Sequence, residues 1–258
     1  MHEVSLFGDR VVGFFCGRSD GNHQTKPPVE GNIRRIDQVR EHLGARRVIL
    51  PNISHSSAIM SVDADNGLME LWPDLKVWKT AELADGLITT DSNVAIAIAN
   101  ADCPVGVLYH RSKQWLCLLH LGLKCLLISP NILEQAVAKA PVSSLVELQF
   151  EFGFGIGSCC FGYNSDHEHL AKVRQICPVA SNGAVQRGPR QGQPSINLPL
   201  LISQLARRHL RGGTCRVIQG GSQCTACRRD IPSYSHVWSE QVISQRGYRN
   251  LFVVKLAP

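Results

Sequence analysis

Three side chains that can ligate a metal, or act as a nucleophile with its base, stand where apolar runs give way to turns: His55, Cys103 and His120. Cys103 follows the apolar run Val94–Ala99, and His120 closes the run Trp115–Leu119. His55 comes shortly after the run Arg46–Leu50. One thiolate and two imidazoles suffice for a catalytic metal centre with a position left open for water or substrate. Cys103 and His120 could instead serve a cysteine hydrolase as nucleophile and base. The two roles compete, because a metal-bound sulfur is largely occupied. Lys124, four residues beyond His120, could hold an anion in the same cleft. Asp102 should point away from Cys103 in extended backbone, so it could orient a histidine from behind or accept backbone donors in the turn.

The remaining cysteines and histidines read differently. Ten cysteines in 258 residues do not make a disulfide scaffold. Cys16, Cys117, Cys177 and Cys215 lie in or beside apolar runs and read as small buried hydrophobes. Cys224-Thr225-Ala226-Cys227 is half of a metal knuckle, and with no second C-x-x-C a structural zinc site is not expected. Gly155-x-Gly157 is too short for a nucleotide-binding fingerprint. His110 and His236 read as surface or packing histidines. Only His55, His110 and His120 fall near Cys103, which is few for a centre of several coppers.

The formal charge is +6, and residues 171–258 carry 13 Lys or Arg against only Asp230 and Glu240. Such a bias suits an anionic partner or a solvated basic face. The arginines are scattered and no nucleic-acid motif is present, so nucleic acid is not the expected partner. No run approaches the roughly 20 apolar residues that span a bilayer. The opening MHEVSLFGDR lacks the apolar core of a secretory signal, so a cytoplasmic monomer is expected.

The elements that must position these groups are mostly strands. Val11–Cys16, Arg46–Leu50, Ala58–Val62, Val94–Ala99, Trp115–Leu119, Leu145–Phe154, Cys215–Gln219 and Leu251–Leu256 read as strands. Asn32–Leu43 has helical spacing, with Asn32 as its cap and Gly44 as its stop. Leu123–Ala140 is helical, with Pro130 forcing a fresh start at Asn131. Asp166–Ile176 and Leu198–Leu210 complete the helices, Gly183–Gln193 reads as a loop, and Asp63–Lys79 has no clear pattern. Without a repeat or a linker, residues 1–258 form one mixed α/β or α+β domain with a mixed central sheet.

Four stretches, in order, resemble a known family. They are Ile53-Ser54-His55-Ser56, Asn100-Ala101-Asp102-Cys103-Pro104-Val105, His120-Leu121-Gly122-Leu123-Lys124-Cys125, and Cys224-Thr225-Ala226-Cys227 followed by Tyr234-Ser235-His236-Val237-Trp238. Gly155-Ile156-Gly157-Ser158-Cys159-Cys160-Phe161 adds a weaker echo. The chain is similar to the bacterial multicopper polyphenol oxidoreductase (laccase-like) family, also described as purine nucleoside phosphorylases. Ile53, Ser56, Leu123, Lys124, Val237 and Trp238 depart from the family pattern. The resemblance implies a single α/β domain related to the catalytic domain of cytotoxic necrotizing factor toxins. It implies His55, Cys103 and His120 as metal-binding and catalytic residues, with zinc as the metal or copper as the alternative. The expected activity is zinc-dependent purine nucleoside phosphorolysis, with adenosine deamination and methylthioadenosine cleavage beside it. Purine nucleoside and phosphate are then the substrates, with Lys124 holding phosphate. The alternatives are copper-dependent phenol oxidation, a cysteine hydrolase, and a catalytically degenerate homologue.

Overall fold

Runs such as Val94–Asn100 and Trp115–His120 have no polar face because both faces of each strand are covered. The computed structural model describes residues 1–17, 20, 22–25, 28–141, 145–181, 193–227 and 249–258. In chain order its elements are β1 (His2–Leu6), β2 (Val11–Cys16), α1 (Glu30–His42), β3 (Arg47–Asn52), β4 (Ile59–Ser61), β5 (Leu68–Glu70), β6 (Val77–Leu83) and β7 (Gly86–Thr89). There follow β8 (Val94–Asn100), β9 (Val105–His110), β10 (Trp115–His120), α2 (Leu123–Leu127), α3 (Ile132–Lys139), β11 (Leu148–Gly153), α4 (Glu168–Ile176), α5 (Pro178–Ser181), α6 (Leu198–Leu210), β12 (Thr214–Val217) and β13 (Asn250–Leu256).

The strands form two mixed sheets rather than the one expected. One has seven strands in the order β1-β2-β13-β8-β3-β6-β5, and the other six in the order β12-β11-β9-β10-β7-β4. Alternation along each strand divides the core into three layers. Ile96 and Ile98 of β8 meet Val105, Val107, Leu116 and Leu118 between the sheets. Ala95 and Ala97 face the other way, onto Ile33, Ile36 and Val39 of α1. Trp115, Cys117 and Leu119 of β10 pack beneath α2, α3, α4 and α6. The result is a single α/β domain with two sheets at its centre and helices on both outer faces.

Several helix ends are set by local chemistry. Asn131 caps α3, its side chain accepting from the Leu133 and Glu134 amides at 3.0 Å each, and this fresh start is where Pro130 predicts it. Asn32 is not the cap of α1, which begins at Glu30 after Val29. Its side chain donates instead to the Gln24 carbonyl at 3.1 Å, tying an upstream loop to the helix. Gly44 ends α1 with φ +61°, a left-handed turn that costs glycine little. The unpatterned segment 63–79 contains β5 and the start of β6 at the sheet edge, and β6 pairs in parallel with β3. The loop expected at Gly183–Gln193 lies outside the described residues except for Gln193.

Candidate metal centre and cleft

Three strand ends of the two sheets bring the predicted trio together. His120 closes β10, Cys103 lies in the turn between β8 and β9, and His55 follows β3. One ligating atom from each lies within 4.8 Å of those of the other two. The two imidazoles meet edge to face, with centroids 5.0 Å apart. His120 is buried, Cys103 half-buried and His55 exposed, so the trio runs from the core to the surface. His55 and Asp102 both hold positive φ, 60° and 70°, a conformation that non-glycine residues rarely keep and that here aims the two turns at one point.

Asp85 is the anchor, and it sits fully buried just before β7. Its carboxylate accepts from the amides of Ser54, His55 and Ser56 at 3.2, 3.0 and 2.7 Å. The Ser54 and Ser56 hydroxyls add bonds of 3.1 and 2.9 Å. The sixth contact is His120 Nδ1, at 2.8 Å. One aspartate therefore folds the His55 turn and orients the His120 ring. With Nδ1–H given to Asp85, the Nε2 lone pair is left for a metal. Burial alone would raise the carboxyl, but the His120 and Ser56 hydrogen bonds hold it far below the usual carboxylate range.

The thiol is tuned as well. Burial pushes Cys103 up, but the His120 charge and hydrogen bonds from His120 and His55 bring it down from 9.0 to about 6. Burial disfavours charge on His120, yet the Cys103 sulfur and Asp85 raise its pKa well above the ordinary 6.5. Without metal, these shifts favour a thiolate beside an imidazolium, and a bound metal would displace the His120 Nε2 proton. Cys125 Sγ stands 3.9 Å from His120 Nδ1 and 3.7 Å from Asp85; burial raises its pKa as it does that of Cys103, but here the His120 contact does not outweigh it.

Gly122 leaves room for a ligand among the donors. A β-carbon there would stand 3.1 Å from both His55 and His120 and 3.5 Å from the Cys103 sulfur. Two imidazoles and a thiolate around a gap that a methyl group would fill fit a bound metal ion, zinc or copper by donor type alone. A cleft of about 510 Å³ opens beside them. Leu50, Pro51, Ile53, Ala99, Ile156 and Phe161 give it apolar walls, and Gln24, Asn100 and Arg249 add polar groups. Asn100 donates to the Cys103 carbonyl and so fixes the thiol-bearing turn.

Other expected groups fall elsewhere. Lys124 is exposed on α2 and does not line the cleft, whereas Arg249, just before β13, does. His110 is fully buried at the far end of β9, opposite Trp115 and Leu148 and 3.5 Å from Glu147. It does not join the trio. His236 lies outside the described residues. Asp102 receives the Thr225 hydroxyl at 2.8 Å, and the carboxylate that meets His120 is Asp85. Sequence reasoning missed Asp85 and Arg249. An acid opening the apolar strand Gly86–Thr89 was the one available cue to the first, and nothing set Arg249 apart from its scattered neighbours.

The family model described as multi-copper polyphenol oxidoreductase laccase matches residues 16–246, and the chain belongs to that family. Among solved structures, a Neisseria meningitidis protein aligns over 96% of this chain and 95% of its own, with 19% identity and a TM-score of 0.71. The hypothetical protein YfiH of Bacillus licheniformis aligns over 98% and 96%, with 19% identity and a TM-score of 0.72. YlmD of Geobacillus stearothermophilus aligns over 96% and 92%, with 19% identity and a TM-score of 0.63. At that identity the likeness concerns the fold. No curated protein gives a significant match.

The family match corrects the leading sequence expectation. A zinc-dependent purine nucleoside phosphorylase, with purine nucleoside and phosphate as substrates, gives way to the copper oxidase alternative. Copper replaces zinc as the metal that the family description supports. The phosphate role expected of Lys124 lapses with that activity.

Proposed function

We propose that this protein is a laccase-like, copper-dependent polyphenol oxidoreductase in which His55, Cys103 and His120 hold the metal. The observation that carries this reading is the convergence of one thiol and two imidazoles on the wall of a cleft of about 510 Å³. Two imidazoles and a thiolate form the ligand set of copper electron-transfer centres, and copper bound by them supplies one-electron oxidation of a phenol. In the overall reaction four phenols each give up one electron and one proton, and one dioxygen becomes two waters.

The chain's own residues bind and orient. Asp85 fixes the His120 ring, and with the Ser54 and Ser56 hydroxyls it shapes the turn that presents His55. Leu50, Ile156 and Phe161 offer an aromatic ring apolar walls. Arg249 suits a phenol that carries an acidic substituent. Among the described residues no helix is long and apolar enough to cross a membrane. The same reading takes residues 1–258 as one catalytic unit, a monomer acting in the cytoplasm, with a fold related to the cytotoxic necrotizing factor catalytic domain.

The test is oxygen uptake by copper-loaded protein over a panel of polyphenols. Uptake that disappears in His55→Ala, Cys103→Ser and His120→Ala supports the assignment. Absence of uptake with every phenol overturns it. So does activity that survives chelation but is lost on alkylation of Cys103, because that result belongs to thiol–imidazole chemistry.

A further inference from the structure

A second group of soft donors lies apart from the trio. The sulfurs of Cys159, Cys160, Cys224 and Cys227 all lie within 4.8 Å of one another. Those of Cys159 and Cys160 are each 3.5 Å from Cys227. A disulfide needs about 2.05 Å, and none joins these residues. Four thiolates placed around one ion at about 2.3 Å stand roughly 3.8 Å apart along each edge. The observed spacing is therefore that of a cage rather than of a bond.

Two turns supply the sulfurs. The turn after β11 folds back through the Cys160 amide to the Gly157 carbonyl at 3.0 Å, and the turn after β12 through Cys227 to Cys224 at 3.1 Å. A β-carbon on Gly157 would stand 3.0 Å from that of Cys224, so glycine lets the two turns close up. Cys224-x-x-Cys227 thus finds its other half in an adjacent pair, which counting C-x-x-C motifs does not reveal.

The cage also sits behind Cys103. Thr225, between two of its members, donates its amide to Gly155 at 3.1 Å and its hydroxyl to Asp102 at 2.8 Å. The Ile156 amide returns to the Asp102 carbonyl at 2.7 Å. Fixing the two turns to each other fixes the cleft wall made by Ile156 and Phe161.

We propose that Cys159, Cys160, Cys224 and Cys227 form an all-thiolate site for one soft d10 cation, which locks the turn carrying Cys103 and the adjoining cleft wall. Copper(I) is the physiological ion on this view, and that choice alone rests on the copper reading above. Each thiol that ligates releases its proton to solvent, and no redox step is required when the ion arrives as copper(I).

Cadmium is a suitable probe, since thiolate-to-cadmium charge transfer absorbs in the ultraviolet. Titration of the full chain should show two sites, with most of the absorption lost in Cys224→Ser/Cys227→Ser and most retained in His55→Ala/His120→Ala. In the wild-type protein, one bound ion at this site should protect four further thiols from alkylation. Charge transfer that persists in the double-serine variant, or four thiols that alkylate as fast with cadmium as without it, overturns the proposal. Phenol oxidation is not read in this experiment, so failure of the catalytic assignment and failure of the thiolate site are separate results. Copper(I) then repeats the titration, and its exclusion from the cage would reject the choice of ion.

Discussion

Six hydrogen bonds from nitrogen and oxygen donors converge on the Asp85 carboxylate, with the Cys125 thiol as a weaker seventh, and they decide how the candidate centre behaves. Asp85→Asn keeps the shape but cannot take the His120 proton as a carboxylate does. Copper affinity should fall about 10- to 100-fold, measured by competition with a chromophoric chelator. The same group sets an acid limit. Its folded pKa lies below its unfolded value, so its stabilisation is present above about pH 4 and is lost as pH falls toward the folded value. The stability gap between wild type and Asp85→Asn should therefore shrink in acid denaturation. Cys103 titrates in a different window. Without metal, iodoacetamide should modify it with a midpoint near its pKa of about 6, and Cys16, pushed up to about 12 by burial, should stay unmodified at neutral pH. Peptide mass spectrometry distinguishes the two. That these three residues could meet was readable because His120 ends an apolar run, Cys103 and His55 follow runs within a few residues, and all three lie in the family-like motifs. Asp85 was not, because its partners lie about 30 residues away on either side, and spacing carries no record of a buried carboxylate's contacts.

At the scale of elements, the fold uses strands covered on both faces to hold their ends still. Val94–Asn100 and Trp115–His120 were readable as buried strands for that reason, but continuous apolar runs do not say which residues face which layer. The sequence reading therefore found these two strands, but not β9, which lies between them in the chain, nor that the strands form two sheets. Leu198–Leu210 matches its expected bounds because its apolar stripe and its cap at Asn197 agree. Segment 63–79 did not, since the short edge strand β5 buries too little to leave a pattern. The Asn131 cap offers a control far from the cleft wall. Asn131→Ala should cost about 1 kcal/mol of stability in a urea melt and leave copper stoichiometry unchanged. A loss of copper with that variant would mean that α3 supports the centre.

Across the whole molecule, the layer between the sheets makes them interdependent. Ile96 and Phe252 of one sheet share a cluster with Leu116 and Leu118 of the other, so neither sheet can open without exposing the other's inner face. Tryptophan fluorescence and far-ultraviolet circular dichroism should therefore report one coincident unfolding transition. Two separated transitions would show that the sheets melt independently. β13 has a further consequence. It follows every other described element, yet it lies between β2 and β8, pairing Phe252 with Phe15 and Ile98. While the ribosome is still making the preceding segments, β2 and β8 lack their shared neighbour and Arg249 has yet to take its place in the cleft. The seven-stranded sheet cannot close on a nascent chain before β13 emerges, so a finished cleft is a property of the chain only after β13 has left the exit tunnel.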